Sequence, residues 1–140
     1  MYNHILVAIE HSPADATILA HVSDLAKLHH ARVLLLHVAD GWAARAYDEL
    51  ALRESEEMQE DRAYLAGVAQ QLQAQGIDSA WRLGRGDPAT EIVAAARQEH
   101  VDLVAMATHG HRLINDLIRG TTVNRVRHEL EIPVLLLRAR

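Results

Sequence analysis

The sequence predicts an α/β fold: one doubly wound, five-stranded parallel sheet with helices on both faces. The first observation is a set of short, nearly continuous apolar runs, which strands buried on both sides of a parallel sheet require. The second is that these runs alternate with segments whose apolar residues repeat at helical spacing. Such alternation is typical of parallel sheets with right-handed crossovers. The length of 140 residues suits one domain, which we assign to residues 1–140.

Residues 4–10 (HILVAIE) and 31–38 (ARVLLLHV) are the first two predicted strands. The helix between them is predicted to begin with Ser12 as N-cap and Pro13 in the first turn, and Asp15 takes the reciprocal capping position. Within it, Ile18, Val22, Leu25 and His29 repeat at helical spacing. Together these segments predict one β–α–β unit.

A long helix is predicted over residues 44–75, with Gly76 as its stop. Its apolar positions are Leu50, Met58, Leu65, Val68 and Leu72. The first half carries a run of acids, namely Asp48, Glu49, Glu54, Glu56, Glu57, Glu60 and Asp61. These acids could recruit a basic partner, but exposed helices usually carry such charges for solubility. We interpret them as a solvated face.

Three further strands are predicted at residues 79–84, 101–107 and 132–138. Asp87 and Pro88 cap and begin a helix whose apolar stripe is Ile92, Val93 and Ala96. A short helical turn formed by Leu113, Ile114, Leu117 and Ile118, and then a helix over residues 121–129, separate the last two strands.

Composition excludes several classes of function. The net charge of -5 argues against a general nucleic-acid binder, and an aromatic content of 4% leaves few stacking platforms for single strands. The absence of cysteine excludes disulfides, thiolate nucleophiles and cysteine-ligated zinc. Apolar runs such as VLLL are far shorter than the roughly 20 residues of a membrane span. We expect a cytoplasmic protein that binds neither nucleic acid nor membrane.

Two glycines, Gly110 and Gly120, follow the fourth predicted strand, and Gly120 directly precedes Thr121 and Thr122. Glycine allows close approach of the backbone to a ligand, and a helix that begins near Thr121 directs free N–H groups at an anion. The pattern favours a phosphate cradle. The alternative is that Gly110 ends a strand and Gly120 separates two helices. Neither a Walker A loop nor a dinucleotide fingerprint fits, because no lysine follows Gly120 and closely spaced glycines are absent.

In doubly wound sheets, ligands bind beyond the carboxyl ends of the strands where strand order reverses. If the first and fourth strands are neighbours, Glu10 and residues 107–110 line that crevice. Arg119 could offer a guanidinium to a polyphosphate there, with solvent exposure as the alternative, and the same holds for Arg112.

No metal site and no catalytic residue are predicted. His109 and His111 flank Gly110 without a carboxylate pair nearby, which makes a poor metal signature. Ser12 suits a helix cap better than a nucleophile. Asp116 and Glu10 are the acids we place near the crevice, and nothing in the sequence shows either one orienting a water molecule for hydrolysis.

These segments together resemble the universal stress protein family over essentially all 140 residues. The opening ILVAIEHS is similar to the first strand of that family, GDPATEIVAAA to the start of its third helix, and IPVLLLR to its terminal strand. The nucleotide-binding branch carries Gly, two residues, Gly, nine residues, Gly and then Ser or Thr. The corresponding positions here are Ala107, Thr108, His109, Gly110, residues 111–119, Gly120 and Thr121.

The resemblance implies a sheet of order 3-2-1-4-5 and, in one branch, bound ATP or AMP. Combined with the loop residues beside the glycines, it gives a candidate nucleotide site of Ala8, Glu10, Val38, Ala107, His109, Gly110, Arg119, Gly120, Thr121 and Thr122. Three positions depart from the family pattern. Ala107 replaces the first glycine, Glu10 replaces an aspartate, and His11 replaces a small residue.

The resulting hypothesis is a stress-response regulatory or protective protein that binds an adenine nucleotide, with magnesium arriving alongside it. A nucleotide-free interaction protein of the same fold and a slow ATP hydrolase are the alternatives. Members of the family frequently dimerise through the last strand. An open apolar edge would also invite aggregation, so we expect a homodimer formed through Val134, Leu135, Leu136 and Leu137.

Overall fold

The computed structural model describes residues 1–40, 51–108 and 120–140. Its strands form one parallel sheet in the order β3-β2-β1-β4-β5, which confirms the predicted fold class and strand order. The strands are β1 (His4–Ala8), β2 (Arg32–Asp40), β3 (Ser79–Gly86), β4 (Leu103–Thr108) and β5 (Val134–Arg138). The helices in the described ranges are α1 (Asp15–His29), α2 (Ala51–Ala74), α3 (Pro88–Gln98) and α4 (Gly120–Glu129).

Several strand ends differ from the predicted bounds. β2 and β3 each extend two residues beyond the prediction because they pair with one another as far as Asp40 and Gly86. β1 ends at Ala8 instead of Glu10. The reason is the turn that follows, in which the carboxylate of Asp15 accepts the backbone N–H groups of Glu10 and His11.

Helix α1 begins at Asp15, later than the predicted start at Ser12 and Pro13. The predicted reciprocal bond is present, since the carboxylate of Asp15 accepts the N–H of Ser12 at 3.3 Å. Ala14, however, takes the N-cap position without a side-chain capping bond. Asp15 mainly binds the turn after β1, and residues 12–14 therefore stay outside the α-helix.

Helix α2 confirms the predicted apolar stripe, with Met58, Leu65, Val68 and Leu72 all buried. It ends at Ala74, and Gly76 follows with a φ of 84°, a left-handed conformation suited to glycine. Residues 44–50 of the predicted helix lie outside the described residues. The solvated face is confirmed for Glu56, Glu57 and Glu60, but it is wrong for Asp61, which turns inward toward two histidines.

The sheet is buried on both faces, which explains its continuous apolar strands. Helices α1 and α2 cover one face, where Ile5, Val7 and Leu35 lie in the core. Helices α3 and α4 cover the other face, where Leu6, Leu36 and Val104 lie. The predicted helical turn around Leu113 and Leu117 lies outside the described residues. In the parts of the chain that the structure describes, no helix is both long enough and apolar enough for a membrane span.

Candidate functional site

The strand order reverses at β1, which pairs with β2 on one side and with β4 on the other. Ala8 at the end of β1 is in register with Leu36 of β2 and with Met106 of β4. Because all three strands are parallel, their carboxyl ends meet at one edge of the sheet. This is the position at which open α/β sheets bind ligands.

Four of the predicted site residues end up along this edge. Ala8 and Val38 are buried in the core under α3 and α4, whereas Ala107 is buried in the core under α1 and α2. Glu10 is half-buried in the turn after β1, where its Oε2 accepts the hydroxyl of Ser12 at 3.3 Å. Because β1 and β4 are neighbours, Glu10 and the end of β4 lie at the same edge of the sheet. That they line a ligand crevice stays a prediction.

Ala107 has ordinary strand geometry. It pairs with Leu137 of β5, and the non-glycine residues of positive φ in the described ranges are His11, His30 and His100. A glycine at this position is therefore not required by the backbone conformation. The methyl group of Ala107 packs into the core, so the departure from the family pattern leaves the local fold intact.

The amino-terminal end of α4 lies at the same edge by topology. The chain leaves the carboxyl end of β4 and must return along α4 to the amino end of the parallel strand β5, so the helix begins at the carboxyl edge. Gly120 and Thr121 are exposed there, while the side chain of Thr122 is buried. First-turn N–H groups of a helix have no intrahelical partners and favour an anion.

The rest of the predicted cradle lies outside the described residues. This applies to the candidate residues His109, Gly110 and Arg119, and also to His111, Arg112 and Asp116. The assignment of His109, Gly110 and Arg119 to the nucleotide site stays a prediction.

The turn after β1 is a second place where backbone amides converge, but it is already filled. The carboxylate of Asp15 accepts the N–H groups of Glu10 and His11 at 2.8 and 2.9 Å, and it accepts the hydroxyl of Tyr64 at 2.6 Å. Asp15 is only 2% exposed. An internal carboxylate thus occupies this turn.

A cluster that we call the α2 clasp joins α2 to this edge. It consists of Asp61 and Tyr64 from α2 and their partners His11, Asp15 and His37. The ring of His11 stacks on Tyr64 with centroids 4.1 Å apart, and its Nδ1 donates to Oδ1 of Asp61 at 2.8 Å. His11 has a φ of 62°, a strained conformation for a residue with a side chain. The contacts of the ring and the N–H bond to Asp15 offset that strain.

Sequence reasoning missed the clasp because Asp61 sits within a run of acids. One signal was available: Asp61 and Tyr64 lie between the apolar positions Met58 and Leu65, on the helical face that is buried. The same environment shifts the pKa of Tyr64. Burial, the hydrogen bond to Asp15 and the negative charge of that carboxylate together raise the pKa of Tyr64 above its ordinary value.

His37 completes the clasp from β2 and is only 4% exposed. Its Nδ1 lies 2.9 Å from the carbonyl oxygen of Ile9, and its Nε2 lies 3.6 Å from Oδ2 of Asp61. In the described residues, no group of three His, Cys, Asp or Glu side chains is arranged to hold a metal ion.

Comparison with known proteins agrees with this architecture. The sequence model of the universal stress protein family matches residues 1–138. A universal stress protein of Thermus aquaticus is 31% identical over 142 residues, covering 99% of this chain and 100% of that protein. The structure of protein MJ0577 of Methanocaldococcus jannaschii superposes with a TM-score of 0.81 at 27% identity, covering 100% of this chain and 98% of that chain.

A second similar structure is a universal stress protein of Archaeoglobus fulgidus, solved in complex with dAMP. It has a TM-score of 0.70 at 20% identity and covers 96% of this chain and 97% of that chain. At this identity the likeness shows the shared fold. With a family match over nearly its whole length and a relative above 30% identity, the chain belongs to the universal stress protein family.

Proposed function

We propose that the protein binds an adenine nucleotide, ATP or AMP, at the carboxyl ends of β1 and β4, and that it acts as a stress-response regulatory or protective protein. The observation that carries this proposal is the exposed start of α4. Gly120 and Thr121 begin that helix at the sheet edge where Glu10 and Ala107 also lie. A helix start of this kind binds phosphate through its free N–H groups and its dipole.

In this proposal, different residues of the described ranges bind different parts of the nucleotide. The backbone N–H groups of Gly120, Thr121 and Thr122 bind the phosphates, and the exposed hydroxyl of Thr121 adds a further donor. The hydroxyl of Thr122 is buried, so this residue contributes its N–H alone. Ala8, Glu10 and Val38 border the base and the ribose, and magnesium enters only with a triphosphate.

The likeness to the dAMP complex of the Archaeoglobus fulgidus protein supports this choice of ligand, because the same fold holds an adenine nucleotide there. The sequence pattern supports it independently, since Gly110, Gly120 and Thr121 match the family's phosphate-binding motif. Binding, and not turnover, is the proposed activity.

Replacing Gly120 with valine tests the phosphate assignment. An added Cβ at Gly120 would meet no described atom within 4 Å, so the fold should tolerate the change while the branched side chain obstructs a bound phosphate. We expect the affinity for ATP and AMP to fall by at least about tenfold, which corresponds to about 1.4 kcal/mol of binding free energy. Titration calorimetry measures this directly.

Gly67 provides the matched control, because a Cβ there also meets no described atom within 4 Å and the residue lies within α2. The Gly67→Val variant should bind nucleotide like the wild type. If Gly120→Val keeps wild-type affinity, the start of α4 does not hold the phosphates.

We also propose that the protein is a homodimer that pairs through β5. This strand forms an edge of the sheet, and Leu136 on it is 38% exposed. Val134, Leu135 and Leu137 are only partly buried. A second copy would cover this apolar edge and complete its backbone hydrogen bonds.

A further inference from the structure

The backbone of the turn after β1 converges on a single side chain. The carboxylate of Asp15 accepts the N–H of Glu10 through Oδ1 at 2.8 Å. Through Oδ2 it accepts the N–H groups of His11 at 2.9 Å and of Ser12 at 3.3 Å. Asp15 is only 2% exposed, so little water competes for these bonds. The conformation of three consecutive residues therefore depends on where this one carboxylate lies.

His11 shows most clearly that the turn is held by its surroundings. Its φ of 62° lies in the left-handed region, which costs free energy for a residue with a Cβ atom. Such a conformation persists only where neighbouring contacts determine it. For His11 these contacts are the N–H bond to Asp15 and two contacts between its ring and helix α2.

Helix α2 contacts the turn through two side chains. Tyr64 donates its hydroxyl to Oδ2 of Asp15 at 2.6 Å, and its ring stacks on the ring of His11. Asp61 lies three residues earlier, on the same face of the helix, and accepts the Nδ1–H of His11 at 2.8 Å. The hydroxyl of Tyr64 therefore orients the same carboxylate oxygen to which the N–H groups of His11 and Ser12 are bonded.

Glu10 is held by this turn through both its backbone and its side chain. Its N–H is bonded to Asp15, and its Oε2 accepts the hydroxyl of Ser12, whose own N–H is bonded to Asp15. In the proposed nucleotide site, Glu10 borders the base and the ribose. The hydrogen bond donated by Tyr64 thus acts, through Asp15, on the placement of a candidate binding residue.

We propose that Tyr64 is a positioning residue for the nucleotide site, which acts through Asp15 to hold the turn that carries Glu10 in its binding conformation. This inference rests on the proposed binding of a nucleotide at that edge. Without the hydroxyl, the carboxylate of Asp15 loses a donor that orients it, and the turn populates other conformations. The affinity for nucleotide then falls in proportion to the population of the binding conformation.

Hydrogen exchange of the nucleotide-free protein tests whether Tyr64 holds the turn. In Tyr64→Phe, the amides of Glu10 and His11 should exchange about fivefold faster than in the wild type, relative to the core amides of β1. Comparison with the core amides separates opening of the turn from a change in global stability. Tyr2→Phe alters a tyrosine outside the α2 clasp and should keep the wild-type ratio. If Tyr64→Phe also keeps that ratio, the proposal is overturned.

Titration calorimetry with AMP tests whether the turn takes part in binding. Tyr64→Phe should bind AMP about fivefold more weakly than the wild type, in line with the reduced population of the binding conformation. Tyr2→Phe should bind like the wild type. If Tyr64→Phe exchanges faster at the turn but binds AMP as tightly as the wild type, the positioning role is overturned while the proposed function stands. If the wild type itself binds no nucleotide, the proposed function fails, and the role of Tyr64 in binding fails with it.

Discussion

At the scale of the residue, Asp15 shows how one side chain organises the edge of the sheet. Its carboxylate binds the backbone of the turn after β1 and also the hydroxyl of Tyr64, which is 49 residues away in the sequence. A buried carboxylate is tolerated only when such donors satisfy it. The sequence predicted the reciprocal bond with Ser12, but the partner on α2 depends on a tertiary contact that local patterns do not encode.

The raised pKa of Tyr64 predicts how stability responds to alkali. Burial and the neighbouring Asp15 disfavour the tyrosinate in the folded state. The contribution of Tyr64 to stability is therefore fully present below its ordinary pKa of about 10, and it is lost as pH rises above that value. Urea unfolding at increasing pH should show this decline in the wild type and a weaker decline in Tyr64→Phe.

Two further comparisons test the Tyr64 prediction. Tyr2→Phe removes a different tyrosine hydroxyl and should leave the decline in place, since Tyr2 packs against His29. At neutral pH, Tyr64→Phe should also lower the free energy of unfolding by about 1 kcal/mol through the lost hydrogen bond to Asp15. A decline of the same size in Tyr64→Phe and the wild type would contradict this explanation.

At the scale of the element, the start of α3 was predictable because all of its determinants are local. Asp87 accepts the N–H of Thr90 at 3.0 Å and its hydroxyl at 2.6 Å, and Pro88 occupies the first turn. The start of α1 was less predictable because Asp15 binds the preceding turn as well as Ser12. The partners of Asp61 in the α2 clasp could not be predicted, because they are histidines that are distant in sequence.

The cap of α3 gives a prediction at this scale. Asp87→Ala should lower the free energy of unfolding by about 1 kcal/mol, whereas Asp87→Ser should retain most of the stability because serine is also a good N-cap. Urea unfolding at neutral pH distinguishes the two variants. If alanine and serine are equally destabilising, the capping bond is not the source of the effect.

The stabilisation that Asp87 provides as the N-cap of α3 also depends on pH. The hydrogen bond from the hydroxyl of Thr90 is the main cause that lowers the pKa of Asp87. Arg125 of α4 lowers this pKa further. The contribution of Asp87 to stability is present when the pH is above the ordinary aspartate pKa of about 3.9, and it is lost as the pH falls below that value. The difference between the wild type and Asp87→Ala should therefore shrink in acid.

At the scale of the whole molecule, the parallel sheet was predictable because apolar runs alternate with helical segments, whereas its strand order was predicted from the family resemblance alone. The edge at which the carboxyl ends of β1 and β4 meet was also predictable, since topology determines it. Ala107 and His11 depart from the family pattern, and the structural consequences of these two departures could not be predicted from the sequence. Ala107 proves to be an ordinary strand residue, while His11 adopts a positive φ and takes part in the α2 clasp.

The proposed dimer is a property of the whole molecule, and a charge at its edge tests it. Leu136→Lys places an ammonium on the exposed apolar position of β5, where a second copy would bury it. Light scattering should show a dimer for the wild type and a monomer for this variant. Leu28→Lys is the control, because Leu28 is 76% exposed and belongs to α1 and not to the β5 strand. A wild-type monomer, or a dimer that Leu136→Lys leaves intact, would contradict pairing through β5.

The central claim, that the carboxyl edge of the sheet holds an adenine nucleotide, is tested most directly by the contents of the purified protein. Freshly purified protein is denatured, and the released small molecules are identified by mass spectrometry. The emptied and refolded chain is then titrated with ATP and AMP by calorimetry. We predict an adenine nucleotide in nearly stoichiometric amount, or saturable binding by the emptied protein. A protein that releases no nucleotide and gives no heat with either ligand would contradict the claim and favour a nucleotide-free interaction protein of the same fold.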